Sequence, residues 1–481
     1  MKIEHNVSSR NKKSVLSMCF PTRRKISALI VAAAAAVSAS AFGSSTDNDL
    51  IKQDHWFEPV TIEMIQEQLD AGFDINETNR SGSSIIVRAG NAMAGEDVWE
   101  FLIEKGAKMN VPQLEDRPAI FWVSKGGTAE AVRQVLAQPG VDVNHLDIVK
   151  RNSFAHAVRL QPDLEVFREL IKAGVDINLK DRNGRTAMHE AAMRSRYVHV
   201  FEFFHSLGLA YDDIDNQGWD AFLNAAWRNP SFDVVTHLAK HSDINKVGRD
   251  GQNAAMLAAV NNPNVKVLDW LLEQGLSVDG TDNNGATALI RSGRNSAEVA
   301  ARLLEMDQDV NATDNNGTTA FIQAGLAQLH GPAIIRLLAD AGADVHAVND
   351  NGVNALMNAL GNGHVYKGGP KMIKLLMNEY GLKPTEGLSD GSTALTIAAG
   401  ADQSVEILRL LVEAGADVNA TNADGMTPLM IYAARTYNSG AMEFLIESGA
   451  DTSVRNPDGK TASDLLKTNE HFMKNRLLGL M

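Results

Sequence analysis

Residues 410–419 read LLVEAGADVN, and residues 424–429 read DGMTPL. The first segment is the end of an apolar helical stretch that stops at Gly415, and the second is a polar turn closed by Gly425 before a new helix begins. Related phrases recur twelve times along the 481 residues. A recurrence of this kind predicts a stacked array, in which each unit buries its apolar surface against its neighbours.

The spacing of the phrases supports this interpretation. Successive gaps run from 32 to 39 residues, and seven of the eleven gaps are 34 residues. The longest gap follows His346 because residues 361–370 lengthen the link between two helices, either as simple length drift or as a functional loop. The phrases end at Asn76, Asn110, Asn144, Asn178, Asp212, Asn245, Asp279, Asn311, His346, Thr385, Asn419 and Ser453.

One unit illustrates the expected local structure. Residues 181–185, DRNGR, predict a turn in which Gly184 takes a positive φ, and residues 186–192 predict a short inner helix. A second helix is expected over residues 197–207. Two antiparallel helices and a projecting turn cannot bury their apolar faces alone, so the units must stack.

These phrases resemble the ankyrin repeat, on the motifs at 410–419 and 424–429 and on Thr186-Ala187-Met188-His189. The resemblance implies an all-α ankyrin-repeat solenoid of stacked helix-turn-helix units with β-hairpin-like turns. It covers residues 55–457, including an N-terminal capping repeat, and residues 458–481 as a C-terminal capping repeat. It also implies that His189 is a structural residue that bonds the adjacent turn. In such arrays the turn tips and inner helices line a concave face that binds other proteins.

Residues 1–41 differ in composition from the array. Seven Lys or Arg residues precede an apolar run over residues 26–37 and a small-residue segment that ends at Ala41. This order predicts a cleavable signal peptide, cut after Ala41 or Ala39, with residues 42–54 as a short linker. The apolar run is too short for a membrane anchor, so we expect a periplasmic or secreted protein. The Sec route is favoured, although residues 22–26, TRRKI, resemble a twin-arginine signal.

Charge and cysteine content restrict the function. The net charge is −14, and it becomes −20 without residues 1–41, which carry seven basic and one acidic residue. A nucleic-acid partner is therefore not expected. Cys19 is the only cysteine and lies in the leader, so disulfides, thiol catalysis and cysteine metal sites are not expected in the mature chain.

Catalytic and metal signatures are missing from the sequence, so we expect no enzyme, metal or cofactor. There is no HExxH, GxSxG, GxGxxG or Walker lysine motif. Residues 282–285 and 314–317 superficially resemble the opening of a calcium loop, but the twelfth positions are Gly293 and Gly325 rather than acidic residues. They are interpreted as turns.

The candidate partner-binding residues follow from the repeat register. Turn tips and inner-helix ends should be exposed on the concave face, where Trp and Arg supply much contact for little entropy. Trp219 beside Arg185 is the leading contact patch, and the alternative is that Trp219 folds over its own hairpin and Trp227 packs between inner helices. The candidates are Asn183, Arg185, Arg194, Gln217, Trp219, Trp227, Arg228, Asp250 and Gln252.

The sequence therefore predicts an exported scaffold that binds an unidentified protein partner through its concave face, in an accessory, inhibitory or immunity, or effector role. One alternative is an enzyme that uses His364, Tyr366 and Lys367 of the inserted loop. Another is a structural surface protein. The sequence indicates neither the partner nor the oligomeric state.

Overall fold

The computed structural model describes residues 59–79, 82–293, 296–327, 331–361, 369–435 and 438–468. Within these ranges the chain forms 24 α-helices and no strands. The proposed leader and linker lie outside the described residues, as do His364, Tyr366 and Lys367 of the inserted loop and residues 469–481 of the C-terminal cap. The all-α fold expected from the sequence is confirmed.

Every second helix belongs to an inner row, in which each helix packs against the next one of the row. These helices are mostly five to eight residues long and are rich in alanine, which lets neighbouring backbones approach closely. The inner helices are α2 Ile85–Asn91, α4 Ala119–Gly126, α6 Ser153–Ala157, α8 Ala187–Arg194, α10 Ala221–Arg228, α12 Ala254–Asn261, α14 Ala288–Ser292, α16 Ala320–Ala324, α18 Ala355–Gly361, α20 Ala394–Gly400, α22 Pro428–Arg435 and α24 Ala462–Thr468.

The intervening helices form an outer row and bury one apolar stripe each against the inner row. A π-helical turn at Leu375–Glu379 follows the shortest of them. The outer helices are α1 Ile62–Asp70, α3 Glu96–Glu104, α5 Ala129–Leu136, α7 Leu164–Lys172, α9 Val198–Ser206, α11 Phe232–Ala239, α13 Val265–Glu273, α15 Ala297–Leu304, α17 Gly331–Asp340, α19 Gly369–Lys374, α21 Val405–Glu413 and α23 Ser439–Glu447.

Short polar residues fix where the inner helices begin. Asp220 and Asn253 accept hydrogen bonds from the backbone N–H groups of Leu223 and Met256, each over 2.9 Å. Such caps satisfy donors that have no partner inside the helix. They explain why the inner helices start correctly although most units lack the proline of the ankyrin motif.

The hairpin-like turns pair with one another along the array. In the turn at residues 181–185, Asp181 accepts two backbone N–H bonds from Asn183 and Arg185, which closes the turn. The backbone N–H of Asn216 then donates to the carbonyl oxygen of Asn183 over 2.9 Å, which joins this turn to the next. The turns therefore form a continuous ribbon beside the inner helices, and we call this ribbon together with the inner row the inner face.

The structural role expected for His189 is confirmed. Its Nδ1 accepts the backbone N–H of Thr186 over 3.2 Å, so Nε2 carries the proton. Nε2 lies 3.2 Å from the carbonyl oxygen of Trp219 in the next turn, and it donates a hydrogen bond there. The histidine therefore links a helix start to the adjacent turn.

The asparagine that ends several repeat phrases joins two neighbouring units by hydrogen bonds. The Asn144 amide donates to the carbonyl oxygen of Gly174 over 2.9 Å, and its oxygen accepts the N–H of Asp176 over 2.7 Å. Asn419 makes the same pair of bonds to Gly449 and Asp451. This reciprocal bonding gives a physical reason for the recurring asparagine.

Replacing Lys150 by glycine should stabilise the fold by about 1 kcal/mol, because Lys150 has a φ of 63° where most turns of the array place glycine. A side chain with a Cβ is strained in this left-handed conformation. The measurement is the urea midpoint of the variant against the parent. Lys150→Ala is the matched control, since it removes the same charge and retains the strain; an equal gain from alanine would contradict the explanation.

Candidate binding face of turns and inner helices

The structure leaves two of the predicted turn-tip residues exposed. Asn183 and Gln217 point their side chains to solvent, while their carbonyl oxygens hold the following turns. The N–H of Arg249 donates to the Gln217 carbonyl over 2.8 Å. Asp250, one turn further on, is half-buried. The turn ribbon therefore presents polar side chains on a backbone that is hydrogen-bonded from unit to unit.

The expectation that Trp219 and Gln252 are exposed tips is wrong. Trp219 is only 5% exposed and Gln252 only 6%. Gly248 stands where most neighbouring turns carry aspartate or asparagine, and a Cβ at that residue would lie 2.3 Å from the Trp219 Nε1. The indole thus occupies the space that the missing side chain of Gly248 leaves. The Trp219 ring therefore packs beside the next turn and is buried, as the alternative to an exposed tip predicted.

Two of the remaining candidates, Arg185 and Arg228, come together around Trp227. This half-buried ring lies 5.5 Å from the Trp219 ring, and the guanidinium groups of Arg185 and Arg228 lie 5.9 Å and 5.7 Å from it. Arg185 is tied to the buried Asp215 carboxylate over 3.2 Å. Arg228 is exposed. Arg185, Trp227 and Arg228 therefore lie together, with Trp227 rather than Trp219 as the more exposed ring; their role in partner binding stays a prediction.

Four cations that the sequence analysis did not identify continue this patch into the preceding units. Arg117 and Arg151 share the register of Arg185 after the turn, and Lys125 and Arg159 share the register of Trp227 at the end of an inner helix. We call the following set the basic patch: Arg117, Lys125, Arg151, Arg159, Arg194 and Arg228.

Three carboxylates lie in contact with the basic patch and compensate only part of its charge. Glu115 pairs with Arg117, and Asp147 pairs with Arg117 and with Arg151 over 2.9 Å and 3.1 Å. Glu190 lies 3.6 Å from Arg151 and 3.4 Å from Arg194. Six cations thus meet three carboxylates, which gives a local positive charge in a chain whose net charge is −14.

Asp147 is the centre of this network. Its side chain is fully buried, and one carboxylate oxygen accepts bonds from both Arg117 and Arg151. The other oxygen accepts the backbone N–H groups of Val149 and Arg151 within its own turn. A single carboxylate therefore closes one turn and joins it to the preceding turn through an arginine.

Among the described residues, few carboxylates neutralise the positive charges of Lys125 and Arg159. Burial lowers the pKa of Lys125 to about 8, with the charges of Arg159 and Arg117 adding to the effect. Burial lowers the pKa of Arg159 to about 10, with help from Arg194 and Arg151. Lys125 donates to the amide oxygen of Asn91 over 2.7 Å. No ion pair joins Arg159 to a carboxylate within the described ranges.

His156 lies inside the patch and is fully buried. Its Nδ1 lies 3.2 Å from the carbonyl oxygen of Phe121, which can only accept, so Nδ1 carries the proton. The Nε2 atom is buried without a hydrogen-bond partner. Burial, and then the surrounding cations led by Arg117, hold the pKa of His156 well below its usual range. The ring is therefore neutral and presents an acceptor among arginines.

The free energy of unfolding should fall as the pH drops below about 6.5, because the unfolded chain binds a proton at His156 that the folded chain excludes. A folded-state pKa below the unfolded value means that the unfolded state gains protons first. The expected slope is up to about 1.4 kcal/mol per pH unit for this histidine. Urea titrations at several pH values measure it.

His156→Gln is the comparison variant, since glutamine retains hydrogen-bonding groups and does not titrate. The variant should have a shallower slope than the parent, whatever its absolute stability. Burial also lowers the pKa of His189. Part of the dependence of unfolding free energy on pH should therefore remain in both proteins. An unchanged slope in the variant would contradict the proposed state of His156.

The turns that resemble calcium loops use their carboxylates internally. Asp282 accepts the N–H groups of Asn284 and Ala286, and Asp314 accepts those of Asn316 and Thr318. In the described part of the chain, no cluster of three or more His, Cys, Asp or Glu side chains could hold a metal ion. The same residues include no helix that is long and apolar enough to cross a membrane.

Comparison with known proteins finds segments of similar sequence in two large proteins. A putative palmitoyltransferase, ZDHHC13, from Danio rerio is 26% identical over 185 residues, which is 38% of this chain and 28% of that protein. The potassium channel AKT2/3 from Arabidopsis thaliana is 29% identical over 120 residues, which is 24% of this chain and 14% of the channel. The chain thus spans less than a third of either relative.

The sequence profile for ankyrin repeats matches this chain in four overlapping or adjoining places, at residues 154–247, 222–314, 322–422 and 364–456. Together the matches cover well over half of the chain. They include α8 and α10, the helices that carry Arg194, Trp227 and Arg228. Paired helices in two rows, joined by a ribbon of turns, are the architecture that these repeats form. The chain belongs to the ankyrin-repeat family.

Proposed function

We propose that this protein is an exported scaffold that binds one protein partner on the basic patch and the neighbouring Trp227, in an accessory, inhibitory or effector role. Ankyrin repeats are protein-interaction modules, and the proposal adds the place of contact. The observation that carries it is the row of six cations on consecutive units of an otherwise acidic chain, in which the buried Arg117 and Arg151 lie beneath the more exposed Lys125, Arg159, Arg194 and Arg228. Arginine and tryptophan side chains are the most frequent energetic centres of protein interfaces.

The energetics of the patch also favour binding. Lys125, Arg159 and Arg194 hold charges that are partly desolvated and repel one another, as their lowered pKa values indicate. Oppositely charged groups of a partner would relieve this repulsion, whereas water does so only partly. A surface that is electrostatically unfavourable alone is therefore suited to association.

Affinity capture with matched variants tests the proposal. The inner-face variant carries Arg159→Gln, Arg194→Gln and Arg228→Gln. The control carries Arg133→Gln, Arg168→Gln and Arg302→Gln, which removes the same charge from outer helices, where the side chains are 38 to 52% exposed. We expect one partner in stoichiometric amount with the parent and the control, and its loss with the inner-face variant. Retention by the inner-face variant would contradict the proposed surface.

Export is a separate part of the proposal. Residues 1–41 have the order of a signal peptide, and the exported protein should begin at Phe42, or at Ser40 if the alternative cleavage is used. N-terminal sequencing of the protein from a periplasmic or secreted fraction tests this. A protein that keeps its first residues and stays in the cytoplasm would exclude export.

A further inference from the structure

We propose that the segment of the partner that enters the basic patch is an acidic stretch of protein, with aspartate or glutamate side chains spaced along an extended backbone. This inference rests on the proposed function and specifies the chemistry of the bound segment. Guanidinium groups pair with carboxylates through two parallel hydrogen bonds, which gives both strength and geometric selectivity. We infer the chemistry of the bound segment from the residues that form the basic patch.

The first argument is charge complementarity that the chain itself leaves incomplete. Arg159 has no ion pair with any described carboxylate, and Lys125 has a neutral amide as its hydrogen-bond partner. The single described carboxylate on the inner helices at this point, Glu190, already serves Arg151 and Arg194. Incoming carboxylates are the groups that would complete these pairs.

The second argument is the unpartnered acceptor of His156. Its Nε2 is buried, lacks a hydrogen bond and lies among the patch cations. Because the imidazole is neutral, the patch without a bound ligand carries one positive charge fewer than it would with a protonated histidine.

The third argument is length. The patch spans four inner helices in successive units: Lys125 lies on α4, Arg159 just after α6, Arg194 on α8 and Arg228 on α10. Packed helices lie about 8 to 10 Å apart, so the patch extends over about 25 to 30 Å. An extended peptide of about eight residues covers that distance, and a single phosphate or carboxylate does not.

The patch favours a protein segment over nucleic acid. Asp147, Glu190 and Glu115 interrupt the cations, and a continuous phosphate backbone would pass close to these carboxylates. The net charge of −14 also repels a polyanion at long range. Side chains of an acidic peptide can alternate between cationic positions and avoid the carboxylates.

The test uses a fluorescent peptide of about twelve residues, alternating glutamate and threonine, and its counterpart with glutamine for glutamate. Fluorescence anisotropy measures binding of each peptide to the full chain at about 50 mM salt, a concentration at which charge–charge interactions are only moderately screened. We expect the glutamate peptide to bind at least about tenfold more tightly than the glutamine peptide. The inner-face variant should lose that preference, and the outer-helix control should keep it.

A second variant guards against loss of folding. Lys125→Gln with Arg228→Gln changes two partly exposed residues, and its circular dichroism and melting temperature should match those of the parent. Any one of three results would overturn the inference. Both peptides could bind equally well, both inner-face variants could bind the glutamate peptide as tightly as the parent does, or an oligothymidylate of similar length could bind more tightly than the glutamate peptide. A captured partner that the glutamate peptide does not displace would overturn the inference alone, since the proposed inner-face contact would still hold.

Discussion

Replacing Asp147 by alanine should lower the free energy of unfolding by about 3 to 5 kcal/mol, as expected when one member of a buried ion pair is removed. The Asp147 side chain is fully buried, and its loss leaves Arg117 and Arg151 without their shared carboxylate. Both arginines would then repel Arg159 and one another in a partly desolvated setting. Urea unfolding monitored by the intrinsic fluorescence of the six tryptophans, one of which, Trp122, packs beside Arg117, measures the effect.

Two comparisons separate the buried charge from general disruption. Glu115→Ala removes a carboxylate that also pairs with Arg117 but is 44% exposed, so it should cost no more than about 1 kcal/mol. Asp147→Ala combined with Arg151→Leu should recover part of the stability, because one unpaired cation is removed. Equal losses from Asp147→Ala and Glu115→Ala would exclude the central role of Asp147.

Replacing Phe204 by alanine should also cost about 3 to 5 kcal/mol, because it opens a cavity where two units meet. Phe204 is fully buried, and its ring lies 5.1 Å from Phe154 and 5.2 Å from Phe167 of the preceding unit. The three rings contact one another within the hydrophobic core, where the two units interlock. The expected loss is measured as the change in the unfolding free energy in urea.

Phe203→Ala is the matched control, since it makes the same chemical change one residue earlier on α9. The Phe203 ring is only partly buried, and Arg168 lies over it at 5.3 Å. This control should cost clearly less than Phe204→Ala because its neighbours and water can fill the space. A larger loss from Phe203 would contradict the assignment of the interlocking contact to Phe204.

The fold was predictable from sequence because every unit repeats the same local signals. Turn glycines such as Gly184, a capping side chain before nearly every described inner helix and an apolar stripe on each outer helix all favour the same arrangement. The turn near Lys150 shows the limit of this reasoning. The sequence indicated that the glycine was lost, and only the structure shows that Lys150 adopts the left-handed conformation itself.

The exposure of Trp219 was not predictable from its own unit. Its direction depends on Gly248, 29 residues later, which leaves room for the indole. Whether a turn-tip side chain faces solvent or the next turn is therefore decided between units. A search for large residues that face glycine in the following repeat would have detected this pair.

The extent of the basic patch was missed for a related reason. The units before residue 178 diverge most from the ankyrin motif, since the turn at residues 147–151 lacks its glycine, and all the candidates predicted from sequence lie in the clearer copies from Asn183 onward. Superimposing the units by register places Arg117, Arg151 and Arg185 at one position after the turn, and Lys125 and Arg159 at one position of the inner helix. That alignment was available from sequence, but the compensation by Asp147 and Glu190 required the structure.

Site-specific photo-crosslinking tests the central claim, binding on the inner face, most directly. A photoreactive phenylalanine replaces Gln217, an exposed residue of the turn ribbon, or Glu202, an exposed residue of outer helix α9. The protein is irradiated in the compartment where it is found. The account predicts a single crosslinked partner from position 217 and none from position 202. A partner crosslinked from position 202 and not from position 217 would contradict it.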